Sequence, residues 1–406
     1  MTITNDTPNY PFDKPAPLAP PAEWAELRGK CRVARVRMPS GDEVSLFSRN
    51  DDVRDVLGDG RFVRNLIAPD AARLAAVEDG GFFNRQPPLN VNIAYGEGHR
   101  RWRRLLNGSF TMKKMAVWPP RIQQIADELI DDMIAKGSPA DLMAEFALPL
   151  TIAVICALLG APTEDKDKFA QWSRIIMTMT RYTQAEEDQA NREFTEYVSA
   201  LVEQKRAHPA DDLLSELLQI SDTQDGRLSN AELVATGRAL LFAGHETTSI
   251  MIGKMTAQLV SEREHYEAVI ADPDLIPGTV EEVLRMDTNS GVGIPRYVTE
   301  DAEVGGCPVS KGSTLLMQVS SANRDESRFP DPDRFDPRRP NGGQHLAFGA
   351  GPHYCLGQPL ARMELQVALG TMTRKLPNLR LRDGADALTM RTGSLLEGFE
   401  DVWVTW

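Results

Sequence analysis

One ten-residue segment near the C-terminal end limits what this 406-residue chain can fold into more than any other feature. It reads Phe348-Gly349-Ala350-Gly351-Pro352-His353-Tyr354-Cys355-Leu356-Gly357, with spaced glycines, one histidine and one cysteine. A cysteine can bind haem iron as its thiolate, which needs a sharp turn of the kind that glycine permits and backbone N–H donors around the sulfur. The alternative is a glycine-rich connection around an ordinary buried cysteine, which would not require this whole set at these spacings.

The residues that follow Cys355 predict the start of a helix. Gly357-Gln358-Pro359 opens a helical run, and proline is tolerated in the first turn because its missing N–H would have no partner there. Cys355 would then precede a helix N-terminus, whose positive end stabilises a thiolate.

A long helix is expected to begin after Ser229. Ser229-Asn230-Ala231-Glu232 fits a capping box, and the helical pattern continues to about Val260. Roughly thirty residues at ~1.5 Å each would make a rod of about 45 Å, long enough to cross a domain of this size.

The middle of this helix carries residues that weaken a regular helix. Ala243-Gly244-His245-Glu246-Thr247-Thr248 combines a glycine with β-branched residues, and the Thr247 hydroxyl can bond the carbonyl of Ala243 one turn back. A packing glycine beside a surface acid is the alternative for this stretch taken alone. His245-Glu246 also begins an H-E-x-x-H zinc motif, but Ser249 occupies the position of the second histidine.

Composition sets the remaining limits. The net charge of −13 disfavours nucleic acid or an anionic membrane as a general partner. The four cysteines lie far apart and form no C-x-x-C pair, which argues against a zinc site or a disulfide framework and favours a reducing compartment. The polar, proline-rich start from Met1 to Pro21 predicts neither a secretory signal nor a membrane anchor, so we expect a cytoplasmic protein without a membrane partner.

The order of patterns along the chain favours one mixed domain over residues 1–406. Alternation in Val33 to Met38 and Glu43 to Ser48 predicts a hairpin. Residues 122–260 read as almost wholly helical, and short strands return after Pro295.

The cysteine segment matches every fixed position of the haem-binding signature Phe-Gly-x-Gly-x-His/Arg-x-Cys-x-Gly, and the chain therefore resembles the cytochrome P450 family. The resemblance implies a mainly α fold with small β-sheets, a triangular helix-rich prism in which haem b lies between the long central helix and the cysteine loop. It makes Cys355 the axial ligand to iron, and a thiolate ligand favours O–O cleavage. It also places Phe348, Gly349, Gly357 and Ala243 against the cofactor.

The resemblance assigns roles to other residues that match family positions. Glu246 and Thr247 would be the acid and alcohol that deliver protons, and Glu282 with Arg285 would form a buried structural network completed by Arg339 or by Arg338. Side chains expected to contact the haem propionates are His99, Arg103, Arg296 and His353. Taken singly, each of these basic groups is commonly a surface charge, and Glu-x-x-Arg is commonly a solvated helix pair. The expected substrate pocket consists of Phe82, Phe83, Phe242, Val292, Ile294 and Leu395.

The activity that this resemblance implies is monooxygenation. The chain would use O2 and two electrons from a separate ferredoxin and ferredoxin reductase to oxidise a small hydrophobic or aromatic molecule, as a monomer, in secondary metabolite biosynthesis. The basic patch expected to steer the ferredoxin consists of Arg100, Arg101, Arg104, Lys113, Lys114 and Arg362, although a solvated charge run is an equal alternative.

Three other activities stay open. The first is oxidative C–C or C–N coupling without oxygen insertion, for example of aromatic cyclic dipeptides. A peroxygenase is the second, and it is disfavoured because such members commonly replace the Glu246-Thr247 pair with Arg-Pro. A non-catalytic haem sensor is the third, since it would need Cys355 but no proton-delivery residues.

Overall fold

The computed structural model describes residues 7–30, 32–85, 89, 91, 93–222 and 228–406. In this part of the chain the α-helices are α1 Ala22–Lys30, α2 Asn50–Gly58, α3 Gly96–Asn107, α4 Met112–Met115, α5 Pro119–Lys136, α6 Leu148–Leu159, α7 Lys166–Ile176, α8 Gln184–Ala207, α9 Leu213–Asp222, α10 Asn230–Ser261, α11 Arg263–Ala271, α12 Ile276–Met286, α13 Val319–Ala322 and α14 Gln358–Lys375. A π-helix, Met143–Ala147, runs directly into α6.

The strands are short and scattered along the sequence. They are β1 Val33–Arg37, β2 Glu43–Phe47, β3 Phe62–Val63, β4 Ala140–Asp141, β5 Ile294–Val298, β6 Ala302–Val304, β7 Cys307–Val309, β8 Thr314–Met317, β9 Arg380–Leu381 and β10 Trp403–Thr405. The predicted hairpin forms, because β1 and β2 pair antiparallel from Val33 opposite Phe47 to Arg37 opposite Glu43. The stretch expected to be wholly helical holds one exception, β4, which pairs with β10.

The largest sheet of the described residues has the order β1-β2-β8-β5-β3 and is buried on both faces. Leu315 and Met317 of β8 pack into one apolar cluster, whereas Leu316 between them packs into another on the opposite face. Successive side chains of a strand point to opposite faces of the sheet, so one strand can contribute to an apolar cluster on each face. The helices enclose a third and larger cluster around α10.

Helix α10 is the long central helix that the capping box predicts. The Ser229 hydroxyl accepts from the Glu232 backbone N–H at 3.2 Å, and the Glu232 carboxylate accepts from the Ser229 backbone N–H at 2.7 Å. The helix has 32 residues, which corresponds to about 48 Å at ~1.5 Å per residue. It packs on α6 so closely that a Cβ on Gly244 would lie 2.5 Å from Cδ1 of Ile155. Gly244 is therefore a packing glycine, as one interpretation of the sequence holds.

A buried ion network joins α12 to the segment that leads into the cysteine loop. Arg285, fully buried, donates to both carboxylate oxygens of Glu282 at 2.8 Å. Arg339 donates to Glu282 Oε1 at 3.0 Å, and the Asp336 backbone N–H donates to the same oxygen at 3.1 Å. Between Arg338 and Arg339, the structure therefore selects Arg339, and Arg338 donates instead to Asp272 on the surface at 2.7 Å.

The other donors of this network hold backbone carbonyls. Arg285 donates to the carbonyls of Asn323 and Pro332, and Arg339 donates to those of Pro330, Asp331 and Arg334. One side-chain cluster thus fixes the irregular chain between α13 and the cysteine loop, whose backbone–backbone bonds are those of successive turns.

Among the described helices, none combines the length and the apolar composition that crossing a bilayer would require.

Replacing Glu282 with alanine should destabilise the protein by about 3–5 kcal/mol, because two buried guanidiniums lose their counter-ion. Urea unfolding of the haem-loaded protein measures the change. Arg338→Ala is the matched control, since it removes a neighbouring arginine whose side chain is 68% exposed and bonded only at the surface, and we expect a loss of less than about 1 kcal/mol. Equal stability of E282A and R338A would contradict a structural role for the network.

Candidate active site

The cysteine loop is a tight turn held by two glycines in left-handed conformations. Gly349 has φ 73° and Gly351 has φ 67°, and a Cβ on Gly351 would lie 2.4 Å from the carbonyl oxygen of Leu57. The Cys355 backbone N–H donates to the Phe348 carbonyl at 2.9 Å and closes the loop. The spacing of glycines in the sequence thus reflects two positions that a side chain would strain.

The Cys355 sulfur lies at the N-terminus of α14, as the sequence predicts. Gly357 is the N-cap residue, and the helix begins at Gln358 with proline in its first turn. Burial raises the pKa of the Cys355 thiol, while the backbone N–H groups of Gly357 and Gln358 and the guanidiniums of Arg103 and Arg362 act to lower it. The surrounding donors and cations therefore favour the thiolate against the cost of burial.

A cavity of about 510 Å³ lies between α10 and the cysteine loop. Helix α10 contributes Ala243 and Thr247 to its wall, and the loop contributes Cys355 and Gly357. The Thr247 hydroxyl donates to the Ala243 carbonyl at 2.8 Å, the back-bond anticipated from the sequence. One cavity thus brings the sulfur and the threonine hydroxyl together from elements more than a hundred residues apart in sequence.

Glu246, beside Thr247, is a buried acid and not a surface one. Its side chain Oε1 accepts from Arg391 at 2.9 Å, and Oε2 is buried without a hydrogen-bond partner among the described residues. Arg391 also donates to the Phe399 carbonyl at 3.0 Å, which anchors it to the C-terminal loop. Sequence reasoning missed Arg391, since nothing local marks an arginine 145 residues away as the partner of this acid.

Basic side chains gather at another part of the cavity. His99 and Arg103 lie on α3, and the rings of His99 and His353 are 4.0 Å apart between centroids. Burial and neighbouring guanidiniums, led by Arg64, lower the pKa of His99 to about 4 and that of His353 to about 2. Both rings are therefore neutral near pH 7 and can each donate one N–H.

Arg64 belongs to this basic group, although the sequence did not point to it. Strand β3 ends at Val63, which lies opposite Tyr297 of β5, and Arg64 follows directly after the strand on the side of Arg296. Burial together with Arg64 lowers the pKa of Arg296 to about 9, and the buried Nε of Arg296 has no partner among the described residues. Like charges opposite each other on neighbouring strands are destabilising unless an anion lies between them. Only knowledge of the strand register could have identified Arg64.

These residues fit haem. Its two propionates would meet the basic side chains that line the cavity, which are Arg64, His99, Arg103 and His353, and its iron would meet the Cys355 sulfur at the cavity wall. Arg296 is buried behind them and does not line the cavity, so its contact with a propionate stays a prediction. Coordination to a metal removes the proton from a thiol, which overcomes the effect of burial on Cys355.

Other residues that the resemblance places against haem lie behind the cavity wall. Phe348 packs beneath Arg362, whose guanidinium carbon is 4.4 Å from the ring centroid. Arg362 in turn donates to Glu281 at 2.6 Å. Neither Phe348 nor Gly349 lines the cavity, so both shape the loop from behind.

Three of the six residues predicted for the substrate pocket line the cavity. Phe82, Phe83 and Phe242 line the cavity, with Phe82 5.1 Å from Phe83 and 5.3 Å from Phe242 between ring centroids. The other three expected residues do not line it. Val292 and Leu395 are buried in the apolar cluster on one face of the largest sheet, and Ile294 at the start of β5 packs against the cluster on the opposite face. Phe82, Phe83 and Phe242 pack against the cluster that contains Val292 and Leu395, so contact of these residues with substrate stays a prediction.

Comparison with known proteins gives consistent matches over nearly the whole chain. A family model described as Cytochrome P450 matches residues 77–382. The mycinamicin IV hydroxylase/epoxidase of Micromonospora griseorubida is 39% identical over 401 residues, covering 98% of this chain and 98% of that protein. Nocardicin C N-oxygenase of Nocardia uniformis subsp. tsuyamanensis is 39% identical over 411 residues, covering 100% of each.

Solved structures agree with these matches. The putative thioether synthase SgvP, involved in the tailoring step of griseoviridin, has a TM-score of 0.91 at 35% identity, covering 99% of this chain and 100% of that one. CYP105P1 in complex with filipin I has a TM-score of 0.90 at 34% identity, covering 99% of each chain.

Arg64→Met should speed the loss of haem from the protein. Removing one charge-assisted hydrogen bond costs about 1.5–3 kcal/mol, which corresponds to about tenfold to hundredfold in an equilibrium constant. The rate of haem transfer to excess apomyoglobin measures this. Arg61→Met is the control, because Arg61 lies just before β3 but is bonded to Asp59 near the surface. A transfer rate in R64M equal to that of R61M would remove Arg64 from the cofactor site.

Proposed function

The chain belongs to the cytochrome P450 family, and we propose that it is a monooxygenase that uses O2 and two electrons to oxidise a small, largely apolar molecule. The mainly α fold with small sheets that the sequence predicts is confirmed by the matches to solved P450 structures. Members of the family bind haem b through a cysteine thiolate, and Cys355 is the residue that we assign to this role.

The observation that carries the proposal is that a thiol and a hydroxyl line one cavity, with a buried acid beside the hydroxyl. Cys355 and Thr247 line it, and Glu246 lies next to Thr247 on α10 with one free carboxylate oxygen. A haem sensor would need only the sulfur, whereas an enzyme that cleaves O–O bonds also needs controlled delivery of protons.

Haem, when bound, supplies the one-electron and oxygen chemistry, and the protein supplies position, protons and exclusion of water. Thr247 Oγ1 donates to Ala243 in the resting helix, and its lone pairs remain available to accept a second hydrogen bond at the cavity. The Asn289 side chain donates to the Thr247 carbonyl at 2.9 Å and holds this turn of α10 in place.

We infer that Glu246 passes protons toward Thr247. Arg391 donates to Oε1, and Oε2 has no hydrogen-bond partner among the described residues, so it can take up a proton and hand it on. The bond to Arg391 holds the carboxylate in one position, and burial separates it from bulk water.

The relatives suggest the kind of substrate. Their names include a mycinamicin hydroxylase/epoxidase and a nocardicin C N-oxygenase, so we propose a secondary metabolite as the substrate class. The three phenylalanines on the cavity wall support a molecule with an apolar or aromatic body.

Turnover driven by ferredoxin, ferredoxin reductase and NADPH under ¹⁸O2 tests the proposed function. Incorporation of one ¹⁸O atom per NADPH is the expected result for a monooxygenase. Oxidised product without ¹⁸O would indicate coupling, and turnover with peroxide alone would indicate a peroxygenase. Absence of turnover with every electron source would overturn the proposal in favour of a sensor.

Thr247→Ala should still bind haem but should release much of the reducing power as hydrogen peroxide, because the hydroxyl that accepts and relays a proton at the cavity is lost. The ratio of product to NADPH consumed, with peroxide measured in parallel, should fall about tenfold or more. Thr256→Ala is a matched control on the same helix, since its hydroxyl makes the same back-bond, to Ile252 at 2.8 Å, away from the cavity. Fully coupled turnover in T247A would remove Thr247 from proton delivery.

We further propose that a ferredoxin docks at the basic surface on the side of the cysteine loop. Part of the patch expected from the sequence is neutralised, because Arg100, Lys114 and Arg362 form ion pairs with Glu97, Glu216 and Glu281. Arg104 and Lys113 are exposed and offer their charge to a partner.

Reversing the charge of this surface should weaken docking without harming the site. Arg104→Glu should raise the ferredoxin concentration needed for half-maximal turnover several-fold, and more so at low salt, because docking is electrostatic. Arg374→Glu, which reverses an exposed arginine at the far end of α14, is the control. An unchanged ferredoxin requirement in R104E would place the docking surface elsewhere.

A further inference from the structure

The cavity wall between α8 and α10 carries a positive charge that the described residues do not balance. Arg238 on α10 lines the cavity and donates to the Asn191 side-chain oxygen on α8 at 2.9 Å. Its guanidinium carbon lies 5.2 Å from the Phe194 ring centroid. Its Nε is buried without a hydrogen-bond partner in the described part of the chain.

The pKa of Arg238 also indicates a cation without a nearby carboxylate. Burial and the nearby Arg85 lower the pKa of Arg238 to about 10, and no carboxylate of the described residues acts in the opposite direction. The group is still charged near pH 7. Among the described residues, the contacts that stabilise its charge are the neutral amide oxygen of Asn191 and the aromatic face of Phe194.

Arg85, by contrast, is fully compensated. It forms ion pairs with Asp79 at 2.7 Å, Glu187 at 3.1 Å and Asp188 at 3.3 Å. Glu187 also lines the cavity, but the charges that act on its pKa are those of Arg85, Asp79 and Asp188, and Arg238 is not among them. The nearby carboxylates thus form ion pairs with Arg85, and none of them pairs with Arg238.

The basic group near the cysteine loop is separate from Arg238. The basic group near the cysteine loop, led by Arg64, acts on His99, Arg296 and His353, but not on Arg238. Arg238 precedes Thr247 by nine residues, or about 14 Å along the helix axis at ~1.5 Å per residue. The cavity therefore has two separate positive regions, one suited to the cofactor and one at a distance from the reacting position.

We propose that Arg238 binds a carboxylate of the substrate, at the end of the molecule remote from the carbon that is oxidised. This inference rests on the proposed function, since it names the substrate class of the same cavity as an amphipathic carboxylic acid. A carboxylate can accept two parallel bonds from a guanidinium, which makes it the natural partner for the unbalanced charge of Arg238 at the cavity wall. The apolar body would lie along Phe82 and Phe242, which line the same cavity.

Matched pairs of ligands test the inference by binding, without turnover. ω-Phenylalkanoic acids of graded chain length and their methyl esters are titrated into the ferric haem-loaded protein, and dissociation constants are taken from the spin-state change. We expect at least one acid to bind tenfold or more tightly than its ester at pH 7.5. We expect this ratio to fall to about one in Arg238→Met.

Two further variants separate binding from folding. Asn191→Asp places a carboxylate at the 2.9 Å contact, so it should satisfy Arg238 within the protein, preserve the fold and abolish the preference for acids. Arg192→Met removes an exposed arginine next to Asn191 on α8 and should leave that preference unchanged. The reduced carbon monoxide spectrum and the melting temperature establish that each variant is folded and loaded with haem.

The outcomes also distinguish this inference from the proposed function. Absence of acid preference in every pair, whether both members bind or neither does, overturns the role of Arg238, and so does a preference that survives in R238M. Coupled ¹⁸O incorporation into a neutral substrate without acid preference would overturn this inference alone. Acid preference without any coupled turnover would overturn the monooxygenase proposal alone.

Discussion

A single buried carboxylate, that of Glu282, holds together the part of the molecule on which the site depends. Two guanidiniums and one backbone N–H converge on it, and the remaining N–H groups of Arg285 and Arg339 reach carbonyls of the irregular segment before the cysteine loop. Burying three charges is costly, and the cost is offset only when every donor and acceptor has a partner. The network therefore holds the irregular segment between α13 and the cysteine loop in place. As a result, the Cys355 loop has one position relative to α10.

Some basic side chains in and around the cavity have no carboxylate partner, and their positions indicate where anions could bind. Arg64 directly follows β3 and acts on Arg296 of β5, and no carboxylate of the described residues acts on Arg296 or on Arg238, which lies between α8 and α10. Lys254, by contrast, is a buried cation with counter-ions of its own, since it donates to Asp287 and Glu397 at 3.0 and 3.1 Å. Positive groups left unmatched in a cavity thus mark where anions bind, and matched ones mark architecture.

Local patterns made much of this structure predictable from sequence. The capping box at Ser229, the hairpin and the start of α14 depend on residues within a few positions of one another, and each forms as expected. The sequence favoured Arg339 but left Arg338 as an alternative partner of Glu282, because adjacent side chains point to different surroundings and only the fold decides which one meets the acid. Nor could the sequence show how Val292, Ile294 and Leu395 pack against the largest sheet, and their contact with substrate stays a prediction.

The sequence could not identify side chains that are distant along the chain but contact each other in the fold. Arg391 reaches Glu246 from the C-terminal loop, Arg64 meets Arg296 through strand register, and Asn191 meets Arg238 across two helices. In each case the chemistry of one residue depends on a partner that carries no local signature. The catalytic class can therefore be read from short motifs, since oxygen chemistry needs a fixed set of groups at one place. Substrate choice cannot, because it depends on which unmatched groups several distant segments leave facing the cavity.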